Sequence, residues 1–176
     1  MTILRHFIVS LVVLTVVVGA ALWQGAGDDF PALLAGMANS FNGVRLDIAP
    51  LLRTDWVIQI HVAAAMSALL LGAVQLIAPK GTLPHRTLGY VWAILMVTTA
   101  ISAIFIRQIN HGDFSFIHLF VPLTLLGLVG MIANARQMKT DKHRNAVLGL
   151  FFGALLLPGL FAFMPGRLMW QMVFAG

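Results

Sequence analysis

Residues 58–72 read IQIHVAAAMSALLLG, and residues 115–130 read SFIHLFVPLTLLGLVG. Each stretch sets one histidine, His61 or His118, near the head of a long apolar run. A second couple follows: HRTLG at 85–89 and HRNAVLG at 143–149. His61 and His118 are 57 residues apart, and His85 and His143 are 58 apart. Within each copy the two histidines are separated by 24 and 25 residues. This pattern predicts a duplicated helix pair with one imidazole near the start of each helix.

The runs around these histidines are long enough to cross a bilayer. At 1.5 Å rise per residue, about 20 apolar residues cover the hydrocarbon core. The spans are expected at 56–78, 84–106, 114–135 and 143–164, with a further one at 7–23 after Arg5 and His6. The last of these could be read as a signal peptide, but its length and Trp23 favour a retained helix. The expected fold is therefore an all-α membrane protein with five transmembrane helices. Helices two to five form a four-helix bundle, accompanied by short interfacial helices. The expected organisation is a first transmembrane helix at 1–24, an outer loop with interfacial helices at 25–55, the bundle at 56–164 and an interfacial tail at 165–176.

Helical spacing sorts the faces. His61, Ala65, Ala68, Gly72 and Gln75 recur at intervals of four and three, as do His85, Gly89, Trp92, Met96, Thr99 and Ala103. Small residues on such a face admit a close helix or a flat cofactor. Gly149-x-x-x-Gly153 reads as another close contact. Pro122, four residues past His118, is expected to bend its helix or free a carbonyl. The pieces PALLAGMANSF and VRLDIAPLL are expected to lie along the surface as amphipathic helices.

Composition agrees. Of 176 residues, 60% are hydrophobic and 10% charged, too few charges to cover a soluble domain. The net charge of +5 is not read as nucleic-acid binding, because no basic cluster interleaves with aromatics. The absence of cysteine excludes disulfides, thiolate metal sites and c-type haem attachment. Glutamate is absent too, and no Walker loop, G-x-G-x-x-G, H-E-x-x-H or G-x-S-x-G occurs.

Arg5, Lys80, Arg86, Arg136, Lys139, Lys142 and Arg144 fall on one side of the membrane in this topology. Arg45, Arg53, Arg107 and Arg167 fall on the other, with five of the six aspartates. The richer side is expected to be cytoplasmic, in a bacterial inner membrane, with the N-terminus inside and the C-terminus outside. His61 and His118 then form an outer layer, and His85 and His143 an inner one.

An imidazole in hydrocarbon is costly without a partner, so intramembrane histidines usually face the bundle interior and have a task. Two couples on alternate helices, each matched in depth, suit bis-imidazole ligation of haem iron. The candidate metal and cofactor ligands are His61, His118, His85 and His143. Arg86 and Arg144, with Lys142, are candidates to hold the propionates of the inner haem, and Arg53 or Arg107 those of the outer. A single zinc held by all four histidines is excluded by the ~30 Å between membrane faces.

Histidines of helices two and four, and of three and five, binding two haems is a scheme that resembles cytochrome b561-like transmembrane electron carriers. The resemblance covers about residues 56–164. Gly72-x-x-Gln75, His85-Arg86-x-x-Gly89 and His143-Arg144 also resemble a bacterial family of small predicted membrane proteins, a domain of unknown function. The b561 likeness implies electron transfer through haem b, from a quinol or ascorbate-like donor to an acceptor such as ferric iron, superoxide or quinone. His85 and His143 lie nearer the interface than in that family, so two haems are expected, or one if the inner site is absent. His111 and Asp113 could relay protons beside the outer layer.

Two other readings stay open at this point. One is a copper-binding or transport protein using a histidine couple with Met66 or Met131. The other is an accessory subunit docked on a respiratory complex. Expected partners are the lipid bilayer, a quinone or small redox reagent, and a second copy or a respiratory complex.

Overall fold

A backbone inside hydrocarbon has to satisfy its own N–H and C=O groups, and the apolar runs accordingly are helical. The computed structural model describes residues 43–107, 116–164 and 167–174, together with residues 5, 8, 9, 12, 16, 35, 36 and 39. Among the described residues there is helix and irregular chain but no strand. Three helices are long and apolar enough to cross a membrane: Trp56–Ile77, Leu83–Phe105 and Thr140–Ala162. A shorter apolar helix covers Phe120–Arg136. The first span expected at 7–23 lies mostly outside the described residues, as does PALLAGMANSF. Residues 8, 9, 12 and 16 are helical and exposed.

The chain divides into two compact units. The one spanning Asp55–Leu156 carries all four histidines of the repeat. It contains α1 (Trp56–Ile77), α2 (Leu83–Phe105), a 3-10 turn (Phe116–Leu119), α3 (Phe120–Arg136) and α4 (Thr140–Leu148). From α4 the chain continues as a π-helix over Gly149–Leu156. α1 packs on α2, α2 on α3, α3 on α4 and the π segment, and the π segment back on α1. The helices thus close a ring in which α1 stands diagonally across from α3, and α2 from α4.

Local chemistry sets the ends. α1 stops before Pro79, which cannot continue a helix, and the turn passes through Gly81 at φ +77°. α2 opens on Thr82, whose Oγ1 accepts from the His85 N–H at 3.3 Å, with Pro84 in the first turn. α3 ends through Met138 at φ 58°, and Lys139 N–H reaches back to the Asn134 carbonyl at 2.9 Å. This is a left-handed cap built on a residue with a Cβ, which costs about 1–2 kcal/mol relative to glycine. Met138→Gly is expected to stabilise the protein by about 1 kcal/mol, read from the unfolding midpoint in detergent.

The core joins Ala68 of α1, Trp92, Ala93 and Met96 of α2, Leu128 and Met131 of α3, and Leu150, Phe151 and Leu155 of the π segment. Trp92 Nε1–H donates to the Ala68 carbonyl at 2.9 Å. The indole is accommodated because position 72 has no side chain: a Cβ there would lie 2.7 Å from Trp92 Nε1 and 2.8 Å from the Phe151 ring.

Three local expectations are corrected, the first only in part. Pro122 withholds a donor from a carbonyl, the second of its two expected effects, but does not bend a helix mid-span. It cannot donate to the carbonyl four residues back, that of His118, so the chain makes a 3-10 turn over Phe116–Leu119 and the α-helix begins afterwards. Pro122 then falls in the first turn, where its missing N–H costs nothing. Gly149 and Gly153 are not a close contact, since a Cβ at either meets nothing within 4 Å. The third correction concerns VRLDIAPLL, which is not one amphipathic helix. Only Ala49–Leu52 is helical.

That segment belongs to the other unit, Met1–Thr54 with Leu157–Gly176. There Arg45 N–H and Asp47 N–H donate to the Val173 and Met172 carbonyls, both at 2.8 Å. These carbonyls end the short helix Leu168–Val173 and have no partners within it. Satisfying them holds 45–47 extended. The Arg167 guanidinium sits 4.6 Å over the Phe161 ring.

Candidate functional site

Three of the four repeat histidines have their ring hydrogen placed by the backbone or by an amide. His61 on α1 turns Nδ1 toward the Thr99 carbonyl of α2 at 3.0 Å and Ser102 Oγ at 2.9 Å. A carbonyl oxygen only accepts, so Nδ1 carries the hydrogen. Ser102 Oγ–H lies 2.7 Å from the Thr98 carbonyl and donates there, which leaves its lone pair for the imidazole. Nε2 of His61 is then the nitrogen with a free lone pair.

The inner layer repeats the device. His143 Nδ1 lies 3.0 Å from the Met131 carbonyl of α3, and by the same reasoning donates to it. His85 Nδ1 lies 3.0 Å from Gln75 Oε1 of α1, while Gln75 Nε2 donates to the His85 carbonyl at 3.0 Å. That carbonyl can only accept, so it fixes which end of the amide is nitrogen. The other end is oxygen and takes the His85 Nδ1 hydrogen. In each case the partner lies on the adjacent helix of the same hairpin, and Nε2 is left with the free lone pair. Metal-bound histidines are oriented in this manner, with the second nitrogen tied to a carbonyl or carboxylate.

His118 sits in the 3-10 turn, and its residue and its Nε2 are buried. His61, His85 and His143 are half-buried. His85 is within electrostatic reach of His143 and of Lys80. His61 and His118 stand on diagonal corners, joined to α1 and α3. Arg86 and Arg144 are exposed beside the inner histidines. Met66 is exposed, and Met131 contributes its carbonyl to His143. Among the described residues no group of three or more His, Cys, Asp or Glu side chains could hold a metal ion. His111 and Asp113 lie outside the described residues.

The layers are separated by a filled centre. Ala68 lies seven residues past His61, and Trp92 seven past His85. Their hydrogen bond therefore marks the midpoint, about 10 Å from each layer. Ser102 and the Thr99 carbonyl escaped the sequence reading. Their signal was a hydroxyl cluster, Thr98, Thr99 and Ser102, set in an apolar run at the depth an antiparallel α2 gives to His61.

A family model described as "Predicted membrane protein (DUF2306)" matches residues 58–172. The chain belongs to this family. The expected kinship with small membrane proteins of a domain of unknown function is thereby shown. The DUF2306 match takes in all four repeat histidines, Gln75, Thr99 and Ser102. No curated protein and no solved structure matches the chain.

Proposed function

We propose that this DUF2306 membrane protein carries electrons across the bilayer through b-type haem ligated by its histidine couples. The observation that carries the reading is the placement of the ring hydrogens. In His61, His85 and His143 an acceptor-only oxygen holds Nδ1–H and leaves the Nε2 lone pair for a metal. Bound through these histidines, a haem would supply reversible one-electron exchange.

The protein's own part is to orient and to seal. Thr99 and Ser102 hold the outer imidazole, Gln75 and the Met131 carbonyl the inner ones. The diagonal placement of each couple suits a flat ring between facing helices. Trp92, Phe151 and Met96 keep the middle of the ring free of water between the layers. Arg86 and Arg144 supply exposed cations within reach of carboxylates at the inner end. In this reading the 3-10 turn lengthens α3 from about 26 Å to about 33 Å, enough to make a fourth span beside the first helix. The excess of Lys and Arg beside the inner layer supports a cytoplasmic position for that end in a bacterial membrane. A quinol or ascorbate-like reductant would serve as donor. Copper bound with help from Met66 is disfavoured, since that side chain points away from the buried face.

The test is spectroscopic. Full-length protein produced with haem supplied, purified in detergent, is expected to show a low-spin b-type spectrum that sharpens with dithionite. Colourless protein that takes up no haem on titration overturns the proposal.

A further inference from the structure

A glutamine amide in a membrane helix is costly unless both of its ends are bonded. Gln75 is buried near the end of α1, and both ends of its amide go to one residue. Oε1 accepts from His85 Nδ1–H at 3.0 Å, and Nε2 donates to the His85 carbonyl at 3.0 Å. His85 is gripped a third time, since its own N–H reaches Thr82 Oγ1 at 3.3 Å. The ring, the carbonyl and the amide of this residue are all fixed, although it lies only three residues into α2. A helix start is a poor place from which to aim a side chain, because its first carbonyls and N–H groups have few intrahelical partners. The clamp removes that freedom. The same role in the second hairpin falls to the Met131 carbonyl, which lies within one residue of Gln75 when the 57-residue interval is applied.

We infer that Gln75 is a positioning residue of the inner site: its reciprocal pair of hydrogen bonds holds His85 with hydrogen on Nδ1 and presents Nε2 as a ligand. The tautomer assignment stands on the geometry alone, while the consequence for haem rests on the function proposed above. Gln75→Leu removes both bonds, and the neutral ring becomes free to place its hydrogen on Nε2. Gln75→Glu gives up the bond to the His85 carbonyl but keeps an acceptor for Nδ1–H, and a carboxylate there strengthens that bond. Losing the bonds that orient a metal-binding imidazole weakens metal binding roughly 10–100-fold.

The experiment has two readouts on the full chain in lipid nanodiscs. The first uses protein labelled with 15N-histidine without haem at about pH 8.5, where imidazoles are neutral. Its His85 signal, assigned with His85→Asn, is expected to report hydrogen on Nδ1 in wild type and in Gln75→Glu, and a shift toward Nε2 in Gln75→Leu. The second is haem titration, in which Gln75→Leu weakens the inner site roughly 10–100-fold and Gln75→Glu restores it. An Nδ1 hydrogen on His85 that persists in Gln75→Leu overturns the inference. So does Gln75→Leu that binds haem at the inner site as tightly as wild type. If wild type binds no haem while the tautomer moves as expected, the electron-transfer reading fails and the positioning of His85 stands. Should Gln75→Leu fail to fold, Gln75→Glu decides: hydrogen displaced from Nδ1 in that variant overturns the clamp.

Discussion

His61→Ala is expected to cost the protein one haem per chain, and His118→Ala the same one. The two residues sit on diagonal helices of the ring, and His61 is aimed by Thr99 and Ser102 with its Nε2 lone pair free. Removing a group that merely orients a ligand weakens metal binding roughly 10–100-fold, and removing the ligand itself costs more. A pyridine haemochrome assay normalised to protein reads the result directly. The double variant is expected to lose no more haem than either single one, since both act on one iron. His61→Met provides the sharper control. A thioether can still ligate, and replacing imidazole by methionine raises the reduction potential of a b-type centre. The variant should therefore retain haem with a potential above that of wild type. Full haem content in both alanine variants would remove these residues as ligands.

The duplicated histidines were legible in the sequence because the repeat interval survives in numbering alone. The faces they head were legible as well. Ala68, Gly72 and Gln75 are buried on α1, and Trp92 and Met96 on α2, as the four-three spacing indicates. What escaped was anything that departs from an α-helix. Pro122 was visible, yet its effect depends on which carbonyl loses a donor, and that carbonyl is His118's own. The π segment left no mark in composition, and the Gly149–Gly153 spacing could not show that no neighbour approaches those two glycines. The hydrogen positions on the imidazoles were also out of reach. They depend on backbone carbonyls, at Thr99 and Met131, which every residue possesses and no sequence distinguishes. Gln75, a side-chain acceptor in an apolar run, left a trace, as did the hydroxyls of Thr98, Thr99 and Ser102 opposite His61.

Gly72→Ala is expected to destabilise the protein even though alanine is the better helix former. In an exposed helix the change would be worth up to about 1 kcal/mol in alanine's favour. Here the new Cβ would lie 2.7 Å from Trp92 Nε1 and 2.8 and 2.9 Å from two Phe151 ring carbons. Neither ring is a flexible end that swings aside. Trp92 is 3% exposed and tied to the Ala68 carbonyl, and Phe151 is 7% exposed within the π segment. Overpacking of this sort costs about 1–3 kcal/mol, and moving the indole also forfeits a hydrogen bond worth about 1 kcal/mol. The steric and hydrogen-bond terms exceed the helical gain, for a net loss of about 1–3 kcal/mol; Gly72→Val should lose more. Gly149→Ala is the matched control, because a Cβ there meets nothing within 4 Å. It should be neutral or mildly stabilising. Unfolding in detergent, followed by tryptophan fluorescence, separates the two, and equal midpoints would mean that Trp92 and Phe151 yield without cost. The same variant probes the seal between the histidine layers. Trp92 marks their midpoint, so an indole pushed off Ala68 loosens the packing between the layers.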